Sequence, residues 1–165
     1  MILGLTQTII VIMYSARQSA EIRQQFWISL GQYLAPVPSA SGSRISWLNY
    51  HTGIRNLFFR MHADSREAYL GVETEHQDPE IRRAIFARFR LLSATLIADI
   101  PLPWHWEEEA INVNGKSVSR IFIRLENVNI LDKQCWPSMI SFFKSGILAL
   151  DRFWFDNFEF FESFK

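Results

Sequence analysis

Three acidic side chains, Asp64, Glu73 and Glu75, fall where two successive strand-like runs could bring carboxylates together. Glu73 and Glu75 are two residues apart, so on a strand both project from one face. Acids gathered in this way can hold a divalent cation such as magnesium, and a lysine beside them can help activate water. The tripeptide here is Glu73-Thr74-Glu75, and the nearest lysine in sequence is Lys116, in another predicted turn. Arg82 and Arg83 cannot act as the base, because a guanidinium stays protonated at neutral pH. The competing account makes Glu73 and Glu75 the solvated polar face of an amphipathic strand.

Other residue sets carry weaker chemistry. His62 and the Glu73/His76 pair sit at opposite ends of the predicted meander. That separation, at ~3.3 Å per residue, is too long for one metal site. Arg82, Arg83 and Arg90 fall on one side of a predicted helix and, with His76 nearby, outline a candidate binding patch for nucleic acid. The same arginines also fit a solvated helix face paired with acids. Near the C-terminus, Phe142, Phe153, Phe160 and Phe164 form a second apolar stripe beside a first one. Either the helix is wedged into the core or this stripe is an interface, which a homodimer would cover. Nucleophilic serine motifs, phosphate-binding glycine loops, Cys-x-x-Cys pairs and zinc-ligand spacings do not occur, so no metal or cofactor site is expected.

The chain has 165 residues, enough for one domain with a sizeable core. Seventeen Lys and Arg balance 17 Asp and Glu, which disfavours a strongly electrostatic nucleic-acid or membrane-surface binder. Aromatic residues reach 15%, with 14 Phe and 6 Trp. Cys135 is the one cysteine, so no intramolecular disulfide forms, and a reducing cytoplasm is the expected location. No run approaches the ~18–20 apolar residues that cross a bilayer. Residues 1–12 carry no charge, lack the basic region of a secretory signal, and precede a second Met at position 13. They are expected to be a disordered upstream extension to a single domain over 13–165. A short extra strand is the alternative, since 8–12 favours β structure.

The elements that must position these residues follow from periodicity and caps. Ser15-Ala16-Arg17-Gln18 fits a capping box before the stripe Ile22, Phe26, Leu30, Tyr33. Three strand-like runs follow over 44–50, 54–62 and 68–75, joined by short turns. Asp78-Pro79-Glu80 starts a helix with Ile81, Ile85, Phe89, Leu92 and Leu96 on one side. Asn114-Gly115 is the favoured turn of a hairpin between 104–113 and 116–125. Asp132 can cap a long aromatic C-terminal helix. The order is α-β-β-β-α-β-β-α, an α+β domain whose largely antiparallel sheet is packed by helices.

Phe26-Trp27, the run from Tyr69 ending in Val72-Glu73-Thr74-Glu75-His76, Asp78-Pro79-Glu80-Ile81, and Trp136-Pro137 before Ile140-Ser141-Phe142-Phe143 are similar to a bacterial family of uncharacterised domains. In longer members of that family a similar domain follows a nuclease-like region, and the family brings no established activity. The helix–three strands–helix–strand order also resembles the core of restriction-endonuclease-like enzymes. The expected function is a non-catalytic binding module for a protein, or for nucleic acid. A divergent magnesium-dependent nuclease, or its inactive relative, is the alternative. Deleting residues 1–12 is expected to leave the melting temperature within a few degrees; a collapse in thermal stability would show them to be a core strand.

Overall fold

Ser15 and Gln18 close the first helix reciprocally: Ser15 Oγ accepts from Gln18 N at 3.1 Å, and Gln18 Oε1 accepts from Ser15 N at 2.9 Å. The computed structural model describes residues 14–165. The expectations for residues 1–12 therefore lie outside the described residues. Helix α1 (Ala16–Leu34) buries Phe26, Leu30 and Leu34, spaced four apart on one side. It ends two residues before Pro36, whose ring cannot continue a helix.

The strand expected over 44–50 does not form. Its side chains are committed elsewhere, so its backbone never enters a ladder. Trp47 is buried and its indole N–H donates to Val37 O at 3.0 Å. The Tyr50 hydroxyl donates to Asp151 Oδ1 at 2.6 Å, and Ala40 N donates to Asp151 Oδ2 at 2.7 Å. The loop is pinned to the C-terminal helix by one buried carboxylate. Burial and this acceptor together push the Tyr50 hydroxyl far above its ordinary pKa. The small-residue stretch 39–43 is held by its own bonds, Ser39 N to Ser43 O and Gly42 N to Ser39 O.

The sheet has four antiparallel strands in the order β1-β2-β4-β3. These are β1 (Leu57–Ala63), β2 (Glu67–Thr74), β3 (His105–Ile111) and β4 (Ser117–Glu126). Between β2 and β3 runs α2 (Pro79–Leu91), with Asp78 Oδ1 accepting from Glu80 N, followed by α3 (Ser93–Asp99). The one helical segment expected here breaks at Leu92. The β3–β4 hairpin forms, but its loop has three residues, Val113-Asn114-Gly115, rather than the expected two: Asn112 N donates to Lys116 O, Gly115 N donates to Asn112 O, and of the three only Gly115, at φ +76°, takes the left-handed conformation where glycine carries no Cβ penalty. Asp132 caps a 3₁₀ turn (Lys133–Cys135), which leads into α4 (Trp136–Asn157) and a 3₁₀ tail (Phe158–Phe164).

Leu57, Phe59, Leu70, Val72, Ile121 and Ile123 are buried on one face of the sheet. Helix α4 crosses β2 on that face, where Gly146 lies against Leu70 and Ile123. Phe26 of α1 packs on Phe143 of α4, and Phe89 of α2 stacks on Phe153 and Trp154. The result is an α+β domain with its helices on one side of an antiparallel sheet. A Cβ at position 146 would overlap the end of Leu70. Gly146→Val is therefore expected to lower stability by about 1–3 kcal/mol in urea unfolding, through overpacking.

Candidate functional site

Strand alternation sends every second residue away from the helices. On β1 these are Phe58, Arg60 and His62; on β2, Tyr69, Gly71 and Glu73; on β4, Arg120, Phe122 and Arg124; on β3, His105 and Glu107. No helix of the described residues covers this face. Four rings cross it from one edge to the other. His62 stacks on Tyr69 at 4.8 Å between centroids, Tyr69 meets Phe122 at 5.5 Å, and Phe122 stacks on His105 at 5.1 Å. The register explains the row: His62 faces Tyr69 and His105 faces Phe122, while Gly71 lies directly opposite Phe122. A Cβ at Gly71 would collide with the Ile121 carbonyl and Phe122. Phe122 is 5% exposed yet belongs to no part of the main core; the guanidiniums of Arg120 and Arg124 each lie 5.3 Å from its ring.

Beside the rings lies a carboxylate pair. Arg60 donates to Glu73 Oε2 at 3.3 Å and to Glu75 Oε1 at 2.9 Å. Lys116 Nζ reaches Glu75 Oε2 at 3.2 Å from the neighbouring hairpin, and Asn112 Nδ2 donates to Glu75 Oε1 at 3.3 Å. The two acid side chains are only 12% and 9% exposed. Burial raises the pKa of Glu73 above its ordinary value, and the Arg60 cation offsets only part of that. Burial also opposes ionisation of Glu75, but hydrogen bonds from Lys116 and Arg60 outweigh it and hold this carboxyl below its ordinary value. A cavity of about 250 Å³ opens here, lined by Arg60, His62, Tyr69, Glu73, Glu75 and Arg120 among others. Arg120 pairs with Glu107 at 2.6 Å. Arg124 Nε is buried 3.6 Å from Glu67, outside hydrogen-bonding range.

The three acids singled out from the sequence do not meet. Asp64 occupies the β1–β2 turn, accepting from Arg66 N at 2.7 Å and Glu67 N at 3.0 Å, with His62 Nε2 at 3.5 Å. Glu73 pairs with Phe58 at the other end of β1, roughly 20 Å away at strand spacing. Among the described residues no group of three His, Cys, Asp or Glu side chains could hold a metal ion. His76 Nδ1 accepts from Asp78 N at 3.1 Å, in the connection to α2. Arg82 donates to the carbonyls of His76 and Gln77; Arg83 pairs with Glu109 at 3.2 Å; Arg90 lies 4.7 Å over Trp106. The three arginines thus serve three separate contacts. The stripe of Phe142, Phe153, Phe160 and Phe164 is also divided. Phe153 is wholly buried, Phe142 and Phe164 are half-buried, and Phe160 is 44% exposed. Tyr69, Phe122, His105, Arg120 and Arg124 escaped the sequence reading. Their signal was the alternation Arg120-x-Phe122-x-Arg124 facing Tyr69-x-Gly71-x-Glu73.

A one-sided antiparallel sheet backed by an aromatic helix is the class of domain these features define. The model of a family described as a domain of unknown function, DUF4268, matches residues 22–157, and the chain belongs to that family. This agrees with the resemblance drawn from the motifs above. No curated protein and no solved structure matches the chain. Among the described residues no helix is long and apolar enough to cross a membrane.

The two half-buried glutamates make opposite contributions to stability. Glu75, held low, adds stability that is present above the unfolded carboxylate pKa and lost as pH falls through its folded value. Glu73, held high, favours the folded state in its protonated form, and stability drops as pH rises through its folded value. Glu75→Gln is expected to cost about 1 kcal/mol at neutral pH, by loss of charge-assisted bonds, and progressively less toward pH ~3. Glu73→Gln is expected to be neutral or stabilising at neutral pH. Urea titrations across that pH range check both signs.

Proposed function

We propose that this domain is a non-catalytic binding module that docks a protein partner on the open face of its sheet. One observation carries the reading: a continuous row of four aromatic rings, flanked by arginines, on a sheet face that no described helix covers. Tyrosine and arginine are the side chains that most often anchor protein interfaces. Nucleic acid is the weaker fit. Arg120, Arg124 and Lys116 each have a carboxylate beside them, and Arg60 has two and keeps one unpartnered Nη1, so a run of phosphates would have to displace glutamates where a single acid need not. One half-buried, unpaired cysteine suits a reducing cytoplasm.

A divergent nuclease, or an inactive relative, is the second reading. Lys116 favours it, since it stands beside Glu75 where a catalytic lysine would act. The donor set does not fit magnesium: both carboxylates are bound by cations of the chain, and Asp64 is at the far end of the hairpin. Photo-crosslinking from position 62 in host extract, followed by reconstitution with the purified partner, tests the first reading. Tyr69→Ala is expected to weaken that complex about tenfold or more; full affinity in Tyr69→Ala would reject the open face. DNA and RNA with magnesium or manganese are expected to stay intact, and cleavage abolished by Glu73→Ala would establish the enzyme instead.

A further inference from the structure

The two edges of the sheet are built differently. Edge strand β3 carries Glu107, Glu108 and Glu109, a register shift between Glu107 and Ala110, and an ion pair from Glu109 to Arg83. Consecutive charges and a bulge are how sheets blunt an edge against further pairing. Edge strand β1 reads Leu57-Phe58-Phe59-Arg60-Met61-His62-Ala63, with no acid, lysine, proline or bulge. Its pairing with β2 fixes which groups are left over. Glu75 N donates to Asn56 O and Asp64 N donates to Glu67 O, so even-numbered residues between them bond to β2. The backbone groups of Phe59, Met61 and Ala63 point the other way and have no hydrogen-bond partner among the described residues. Below this edge lies a groove of about 280 Å³ lined by Trp27, Leu48, Phe59, Arg60 and Met61, with Leu48 41% exposed. Above it, on the open face, the Arg60 side chain is 44% exposed, and its Nη1 has no partner among the described residues.

We propose that the outer edge of β1 is a strand-addition site for an extended peptide with apolar residues at alternate positions and acidic residues between them. This deepens the reading of the domain as a binding module and names how its partner engages. Backbone groups of Phe59, Met61 and Ala63 supply the ladder. Apolar side chains of the peptide enter the groove over Trp27 and Leu48, and its acidic side chains, on the opposite face, meet Arg60. A second copy of the chain fits less well. The antiparallel register that engages all three outward residues sets Arg60 opposite His62 of the second copy, twice, and no acid faces either arginine.

A fluorescein-labelled synthetic peptide alternating valine with glutamate, read by anisotropy on the full chain, tests the site. Met61→Pro removes an outward N–H without touching the bonds to β2. Leu48→Glu closes the groove from an exposed position and leaves the strand intact. Each is expected to weaken binding about tenfold, and replacing glutamate by lysine in the peptide is expected to do the same. Failure of the wild type to bind the peptide overturns the proposal, as does binding indifferent to both variants. A wild-type dimer that Met61→Pro dissociates also overturns it, by giving the edge to a second copy. The peptide does not depend on Tyr69, so its failure leaves the open-face reading standing; a natural partner indifferent to Tyr69→Ala rejects the open face and leaves the edge standing.

Discussion

Helix α4 lies close against the sheet because Gly146 has no side chain where Leu70 rises to meet it. Everything on the buried side follows from that approach. With the helix backbone close to β2, Phe143 and Phe153 reach outward to Phe26 of α1 and Phe89 of α2. One turn further along, Asp151 takes both the Tyr50 hydroxyl and the Ala40 amide, so the loop between α1 and β1 is fastened to the same helix. A bulkier residue at 146 would lift α4 and loosen three elements together, because packed interiors transmit strain.

Placing the helices on one side obliges the sheet to solve a different problem on the other. That face meets water with aromatic rings on every strand. It does so by alternating them with charge: Phe122 is nearly buried, yet its cover is Arg120, Arg124 and two neighbouring rings rather than a helix. The same constraint accounts for the half-buried glutamates. Glu73 and Glu75 point the same way, and like charges so close would repel if Arg60 did not bridge them and Lys116 did not neutralise the second. Glu75 receives the greater share of positive charge and is held ionised, while Glu73 is left with the desolvation cost.

Local rules made much of this legible in the sequence. The capping box at Ser15, the acid–proline start at Asp78 and the β3–β4 hairpin each depend on neighbours a few residues apart, and each is realised, the hairpin with one more loop residue than Asn114-Gly115 alone implies. The run over 44–50 was expected as a strand beside a short turn, but Trp47 and Tyr50 found partners at Val37 and Asp151, the latter 101 residues away. No proline or glycine announces the break at Leu92. The candidate site was legible only in pieces. Spacing put Glu73 and Glu75 on one face, but which cations would meet them depended on strand order. Because β4 lies beside β2, Lys116 comes from a hairpin distant in sequence, and Arg120 and Arg124 join the same surface.

The aromatic surplus misled for a physical reason. Composition counts rings without saying which of them are spent inside. Phe89, Phe143, Phe153 and Phe161 are among the largest fully buried side chains, and Trp154 touches Phe59, Phe89, Phe158 and Phe161 at centroid distances between 4.8 and 6.2 Å. A helix packed on a sheet, on two other helices and on its own 3₁₀ tail needs apolar residues around most of its circumference. Two stripes on α4 are therefore what its burial requires, and they carry little information about association. The rings on the open face of the sheet are few, are at most half-exposed, and alternate with charged residues, while the more exposed rings, Tyr33, Phe155 and Phe160, stand singly on the helices and the 3₁₀ tail. A surface of that kind can remain exposed in the free domain and still offer rigid, amphipathic contacts, because Tyr69 and Phe122 are already ordered by their neighbours before anything docks.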